Sequence, residues 1–295
     1  MGKFRLRGRK RRNREGRAEE VPLRALFPNL ITATAACAGV TSISLASEGR
    51  FVPALYALML ACICDGVDGR VARLLHASSK LGAELDSLAD FVNFGVAPAL
   101  FMYFWLTGGP AHVVDGVAVD ARIIRFVLGA SLFYAMCDCF RLARFNTMLD
   151  QPTLPYWKHF FTGVPAPGGC WMVLTPAILS MALDAPAKYP ALHAFLQSPV
   201  FGIFMLLFVG ALMASRLPTL SLKAMHVHGR AQTRLFVTLA LLVIALLFAD
   251  HLLTLGIAGI LYMLTVPVTG IVFLRLKSRA ERLAAPASAP DRKNG

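Results

Sequence analysis

The chain has 295 residues, of which 56% are hydrophobic and only 16% charged, a balance that excludes a soluble domain of ordinary composition. The formal net charge of +13 does not indicate a nucleic-acid partner, because the basic residues gather at the ends of apolar runs and in the two tails rather than in one patch. No nucleic acid is expected.

The chain opens with a basic arm, "GKFRLRGRKRRNREGR". Residues 1–26 are expected to be a disordered head that sets topology and attracts anionic headgroups, at about 1 kcal/mol per basic residue near the surface. The apolar run that follows is too long, and its basic lead too extended, for a cleaved signal peptide, so it is expected to stay as a helix.

A helix needs roughly 20 apolar residues to cross about 30 Å of hydrocarbon. Runs of that kind are expected to span the membrane near 28–47, 51–73, 84–106, 122–141, 163–183, 199–214, 234–249 and 252–274. The expected fold is therefore an all-α, polytopic membrane bundle of eight helices, or seven if the last two, parted only by Asp250 and His251, are one span. The membrane domain is expected over 27–276 and a disordered polar tail over 277–295.

Alternate connections carry the basic residues: Arg70, Arg73 and Lys80, then Arg141, Arg144 and Lys158, then Arg216, Lys223, Arg230 and Arg234. By the positive-inside rule both termini and these connections are expected in the cytoplasm, which favours an even number of spans.

The six cysteines all fall within expected spans, and the close pairs Cys62/Cys64 and Cys137/Cys139 lack C-x-x-C spacing, so they are expected as small packing residues. His226 and His228 in "MHVHGR" are expected as polar loop residues rather than metal ligands.

The chemistry is concentrated in "DGVDGRVARLLHASSKLGAELDSLAD", Asp65 to Asp90. Asp65 and Asp68 are three apart, roughly 60° around a helix and about one turn along it. Asp86 and Asp90 are four apart, roughly 40° around, with Gly82 one turn further back on the same face. The polar stretch "LLHASSK" turns the chain, so two antiparallel helices are expected to bring all four carboxylates together near the water boundary.

Such a cluster repels itself and is costly in a bilayer unless cations neutralise it. Hard oxygen ligands select Mg²⁺, Mn²⁺ or Ca²⁺, and a pair of such ions suits phosphoryl transfer. Gly66 and Gly69 allow close backbone approach by a bulky anion, and Arg73 supplies a guanidinium for phosphate. A cation-coupled transporter is the rival from another class. Transporters show paired repeats and broken mid-membrane helices, whereas these acids lie together near one face and are repeated nowhere.

The pattern Asp65-x-x-Asp68-Gly69-x-x-Ala72-Arg73, eight residues, then Gly82-x-x-x-Asp86-x-x-x-Asp90 resembles the full signature of the CDP-alcohol phosphatidyltransferase family, with no position departing from it. The multi-span organisation extends the resemblance over about residues 25 to 275.

The resemblance implies an integral membrane enzyme, commonly a homodimer, that exchanges the CMP of a CDP-linked lipid for an alcohol. It implies that Asp65, Asp68 and Asp86 hold two ions, Mg²⁺ or Mn²⁺. Asp90 would complete the cluster and act as general base, and Asp65, Gly69, Ala72, Arg73 and Gly82 would border the cytidine diphosphate.

"LDSLADFVNFGVAPAL", "RLARFN" and "FTGVPAPGG" are similar to stretches of the phosphatidylserine synthase branch, although Asn93 stands where a serine is expected and "GGC" follows Pro167. That branch implies CDP-diacylglycerol and L-serine as substrates, in the cell (inner) membrane with the site facing the cytoplasm; glycerol phosphate, inositol phosphate or choline would be the alternative acceptors. A zwitterionic acceptor needs an anchor for its carboxylate. Arg141 or Arg144 supplies it, or else snorkels to the interface. Pro165 and Pro167 either free carbonyls for the serine ammonium or simply open a helix. Asn29, after Phe27 and Pro28, either approaches the nucleotide or caps the first helix.

Overall fold

The structure is a computed structural model, and it describes residues 23–77, 79–114, 116–148, 160–183, 188–215, 218–220, 238, 241 and 245–284. Helix α1 (Leu23–Ser47) packs along α2 (Phe51–Leu74). The turn between them is closed by the Arg50 amide on the Leu45 carbonyl at 2.9 Å. Gly49 there has φ 75°, a left-handed conformation that costs glycine nothing.

Helix α2 ends at Leu74, and α3 (Lys80–Asp90) begins behind a cap in which Ser79 Oγ accepts the Gly82 amide at 3.0 Å. The chain then widens into a π-helical turn, Phe91–Val96, before α4 (Ala97–Thr107). These three pieces form one apolar span, Lys80–Thr107. Gly108, with φ 73°, closes α4.

A short hairpin pairs β1 (Val113–Val114) with β2 (Val117–Ala118) and leads to α5 (Ala121–Met148). Strand β3 (Phe160–Thr162) pairs antiparallel with β4 (Pro218–Leu220). Between them in sequence lie α6 (Ala166–Ala182), α7 (Pro190–Leu196) and α8 (Pro199–Ala214); α9 (His251–Ala284) follows.

The core lies where α2, α4, α5, α6 and α8 meet, around Phe94, Phe101, Met102, Tyr134, Met172 and Leu206. Small residues set the helix spacing: a side chain at Gly202 would strike Leu106, and one at Gly259 would strike Thr175. Phe126, Phe140, Phe204 and Ile271 are exposed on the outside, as suits helices whose surroundings are lipid.

The all-α membrane bundle is present, but the count of eight spans is not reproduced. Among the described residues five helices are long and apolar enough to cross, and the α7–α8 pair, bent by 45°, makes a sixth. The span expected from 163 becomes helical only at Ala166, because residues 163–165 form the turn that follows β3, and α6 has 17 residues. The expected span at 234–249 lies largely outside the described residues, as do His226 and His228.

The expected break at Asp250 and His251 is a helix start, since Asp250 Oδ1 accepts the Leu253 amide at 2.9 Å. Helix α9 then continues past 276 to Ala284.

Candidate active site

Helix α1 packs against both α2 and α3 at the end where they are joined. Asp65, Asp86 and Asp90 converge there: one carboxylate oxygen of each lies within 4.8 Å of the others. Two negative charges at that separation repel by about 3–4 kcal/mol at an effective dielectric of about 20. That is too much for a trio of ionised acids to hold together without a cation.

The donor set fits a hard divalent ion, being all carboxylate oxygen. Asp90 Oδ1 is buried and has no hydrogen-bond partner, which leaves a lone pair free for a ligand.

Asp68 does not join the trio. It is buried on α2, where Oδ2 accepts the Thr32 hydroxyl of α1 at 2.6 Å and Oδ1 accepts the Gly69 amide. The four expected carboxylates are thus arranged as three plus one, because the 60° between i and i+3 aims Asp68 at α1 while Asp65 faces α3.

Asp68 and Asp86 both line an open cleft of about 180 Å³. Helix α1 contributes Asn29 and Thr32 to it, α2 contributes Gly69, Ala72 and Arg73, and α3 contributes Gly82. Every residue expected to border the cytidine diphosphate lines this cleft except Asp65, which sits in the neighbouring trio. Asp86 belongs to both and connects them.

Asn29 is inside α1, not at its cap, and its Oδ1 would be 2.9 Å from a Cβ at position 82. Glycine there keeps the cleft open.

Among the acceptor-side residues, Arg144 is committed to structure. Its guanidinium donates to the carbonyls of Ala214 at 2.9 Å and Ser215 at 3.0 Å, neutralising the exposed carbonyls at the end of α8. Arg141 is half-buried, and its Nε is without a partner. Asn146 donates to Ser87 Oγ at 3.1 Å, tying α5 to α3 at the site. Pro165 precedes α6 and its carbonyl accepts the Gly169 amide at 2.9 Å, so these prolines open the helix in the ordinary way.

Two residues went unnoticed in the sequence. Thr32 follows Asn29 by three and so shares its face. Asp138 lies inside the expected span 122–141, one turn before Arg141, where an acid signals function by default.

A bundle of membrane-spanning helices with an acid trio beside a polar cleft at one end defines an integral membrane protein equipped for phosphoryl chemistry. The chain belongs to the CDP-alcohol phosphatidyltransferase family, whose family model matches residues 25–215.

It is 38% identical over 229 residues to the CDP-diacylglycerol–serine O-phosphatidyltransferase of Mycobacterium leprae, covering 77% of this chain and 69% of that one. Over 239 residues it is 36% identical to the enzyme of the same name from Helicobacter pylori, covering 81% and 88%. The archaetidylserine synthase of Methanothermobacter thermautotrophicus is 32% identical over 146 residues, covering 48% and 53%.

Proposed function

We propose that the protein transfers the phosphatidyl group of CDP-diacylglycerol to L-serine, giving phosphatidylserine and CMP. The convergence of Asp65, Asp86 and Asp90 beside the cleft lined by Gly69, Ala72, Arg73 and Gly82 carries this reading. The names of the relatives favour serine as the acceptor.

The cleft takes the cytidine diphosphate, with Arg73 binding a phosphate and Gly69 and Gly82 leaving room for it. Asp65, Asp68, Asp86 and Asp90 would hold two divalent cations, Mg²⁺ or Mn²⁺, which supply charge neutralisation for the pyrophosphate. Asp90, with a free Oδ1, accepts the hydroxyl proton of serine as its oxygen bonds to the lipid-side phosphorus. The bond from that phosphorus to CMP breaks in the same exchange. Arg141 takes the serine carboxylate, and Arg144 steadies the end of α5 behind it.

Arg70, Arg73, Lys80, Arg141 and Arg144 are at this end of the bundle or its connections, which supports a site facing the cytoplasm from the cell (inner) membrane. A homodimer belongs to the same proposal on the family resemblance.

The test incubates purified protein with CDP-diacylglycerol, Mn²⁺ and, in turn, serine, glycerol phosphate, inositol phosphate and choline. CMP release with serine alone, and phosphatidylserine as product, is expected. CMP with a different acceptor overturns the serine assignment, and no CMP with any acceptor overturns the transferase reading.

A further inference from the structure

Asp138 is fully buried on α5, and neither of its carboxylate oxygens has a hydrogen-bond donor. A buried, unpartnered carboxylate is costly to keep, and in a native structure it calls for a ligand or a role. Arg141 stands one turn further along the same helix face, its Nε buried and equally unpartnered. The two do not form an ion pair: among the described residues the one ion pair joins Arg50 to Glu48.

On its other side Asp138 Oδ2 packs against Gly95, where a Cβ would lie 2.8 Å away. Gly95 belongs to the π-helical turn that directly follows Asp90. Tyr134, one turn back on α5, donates to the Phe94 carbonyl at 2.9 Å and pins α5 to that turn. Asp138 is close enough to act electrostatically on both Arg141 and Asp90.

An anion and a cation one turn apart, each lacking a partner and both beside the acid with the free oxygen, are complementary to a small molecule of opposite polarity. That molecule carries an ammonium and a carboxylate on one carbon and a hydroxyl on the next.

We propose that Asp138 binds the ammonium of the acceptor amino acid, with Arg141 on its carboxylate, so that the hydroxyl is delivered to Asp90. The assignment rests on the serine reading above and adds the residue that makes an amino acid, rather than an amine-free alcohol, the preferred acceptor. Asp138 is closed off by the turn carrying Gly95, so the proposal requires that turn to part from α5 on binding; π-helical turns are commonly found at functional sites.

The test uses the full-length protein with CDP-diacylglycerol and Mn²⁺, comparing wild type with Asp138→Asn. L-serine is the varied substrate, and 3-hydroxypropionate, which is serine without its ammonium, is the competing inhibitor. The variant is expected to raise the KM for serine by about tenfold or more, as loss of a charge-assisted hydrogen bond does. The inhibition constant of 3-hydroxypropionate should stay within about twofold, since it never used the residue.

An unchanged serine KM, or a parallel loss of serine and 3-hydroxypropionate binding, overturns the proposal. If Asp138→Asn does not fold, wild type decides: 3-hydroxypropionate should bind about tenfold or more weakly than serine, and equal binding overturns it. A wild type that releases CMP only with an acceptor other than serine sinks the acceptor reading itself. Normal serine turnover in wild type with an unaltered variant sinks Asp138 alone.

Discussion

The Thr32 hydroxyl donates a hydrogen bond to Asp68 Oδ2 across the α1–α2 interface at 2.6 Å. The contact fixes one oxygen of a buried carboxylate lining the polar cleft proposed to take the nucleotide, while the Gly69 amide fixes the other. Outer residues that orient a metal-binding carboxylate typically matter by about 10–100-fold in metal affinity. Thr32→Val should therefore raise the Mn²⁺ concentration needed for half-maximal CMP release by about tenfold or more. An unaltered Mn²⁺ titration would show that Asp68 needs no such support.

Asp90 and Asp68 should separate by function. Asp90 has an unpartnered oxygen and lies in the trio, whereas Asp68 lies in the cleft wall. Asp90→Asn is expected to lower turnover by about 10²–10⁴, as loss of a general base does, while keeping CDP-diacylglycerol affinity better than Asp68→Asn. Turnover assays paired with binding of the CDP-lipid check this. Equal binding loss in the two variants would argue against a separate base.

Gly82→Ala places a methyl 2.9 Å from Asn29 Oδ1 and 3.1 Å from Ser79 Oγ. It narrows the cleft and crowds the cap of α3. The KM for CDP-diacylglycerol should rise by about tenfold while kcat falls much less, the mark of lost ground-state binding. Adding Asn29→Ala relieves the clash, so the double variant should recover part of the loss. Additive damage in the double variant would mean that the two residues do not meet.

The turn between α2 and α3 has His76 exposed, with φ 48°. If the site faces the cytoplasm, His76→Cys in intact cells should resist a membrane-impermeant maleimide and react once the membrane is opened. Labelling in intact cells would invert the topology.

The spacing of the acids was enough to anticipate that Asp65, Asp86 and Asp90 meet, because i, i+3 and i, i+4 positions on two antiparallel helices have few other arrangements. It could not place Asp68, whose direction depends on α1 being the neighbour that offers Thr32. Helical periodicity also presumes 3.6 residues per turn, and the π-helical turn Phe91–Val96 departs from it. Gly95, which meets Asp138, lies within that turn, so a count along the chain at the ordinary helical period does not anticipate the contact.

Arg141 and Arg144 looked alike in sequence. Only packing reveals that one closes the end of α8 and the other is left unsatisfied at Nε. The bend between α7 and α8 and the strand before α6 were not legible either: hydropathy marks apolar length, whereas the bend depends on local geometry and β3 depends on its pairing with the distant β4.

The proposed transfer requires that acids from α2 and α3 share divalent ions. Electron paramagnetic resonance of the full-length protein loaded with Mn²⁺ and CDP-diacylglycerol tests it most directly. A spin-coupled pair of ions, abolished by Asp65→Asn, is the predicted result. A spectrum of isolated ions, or a coupled signal that survives Asp65→Asn, would contradict it.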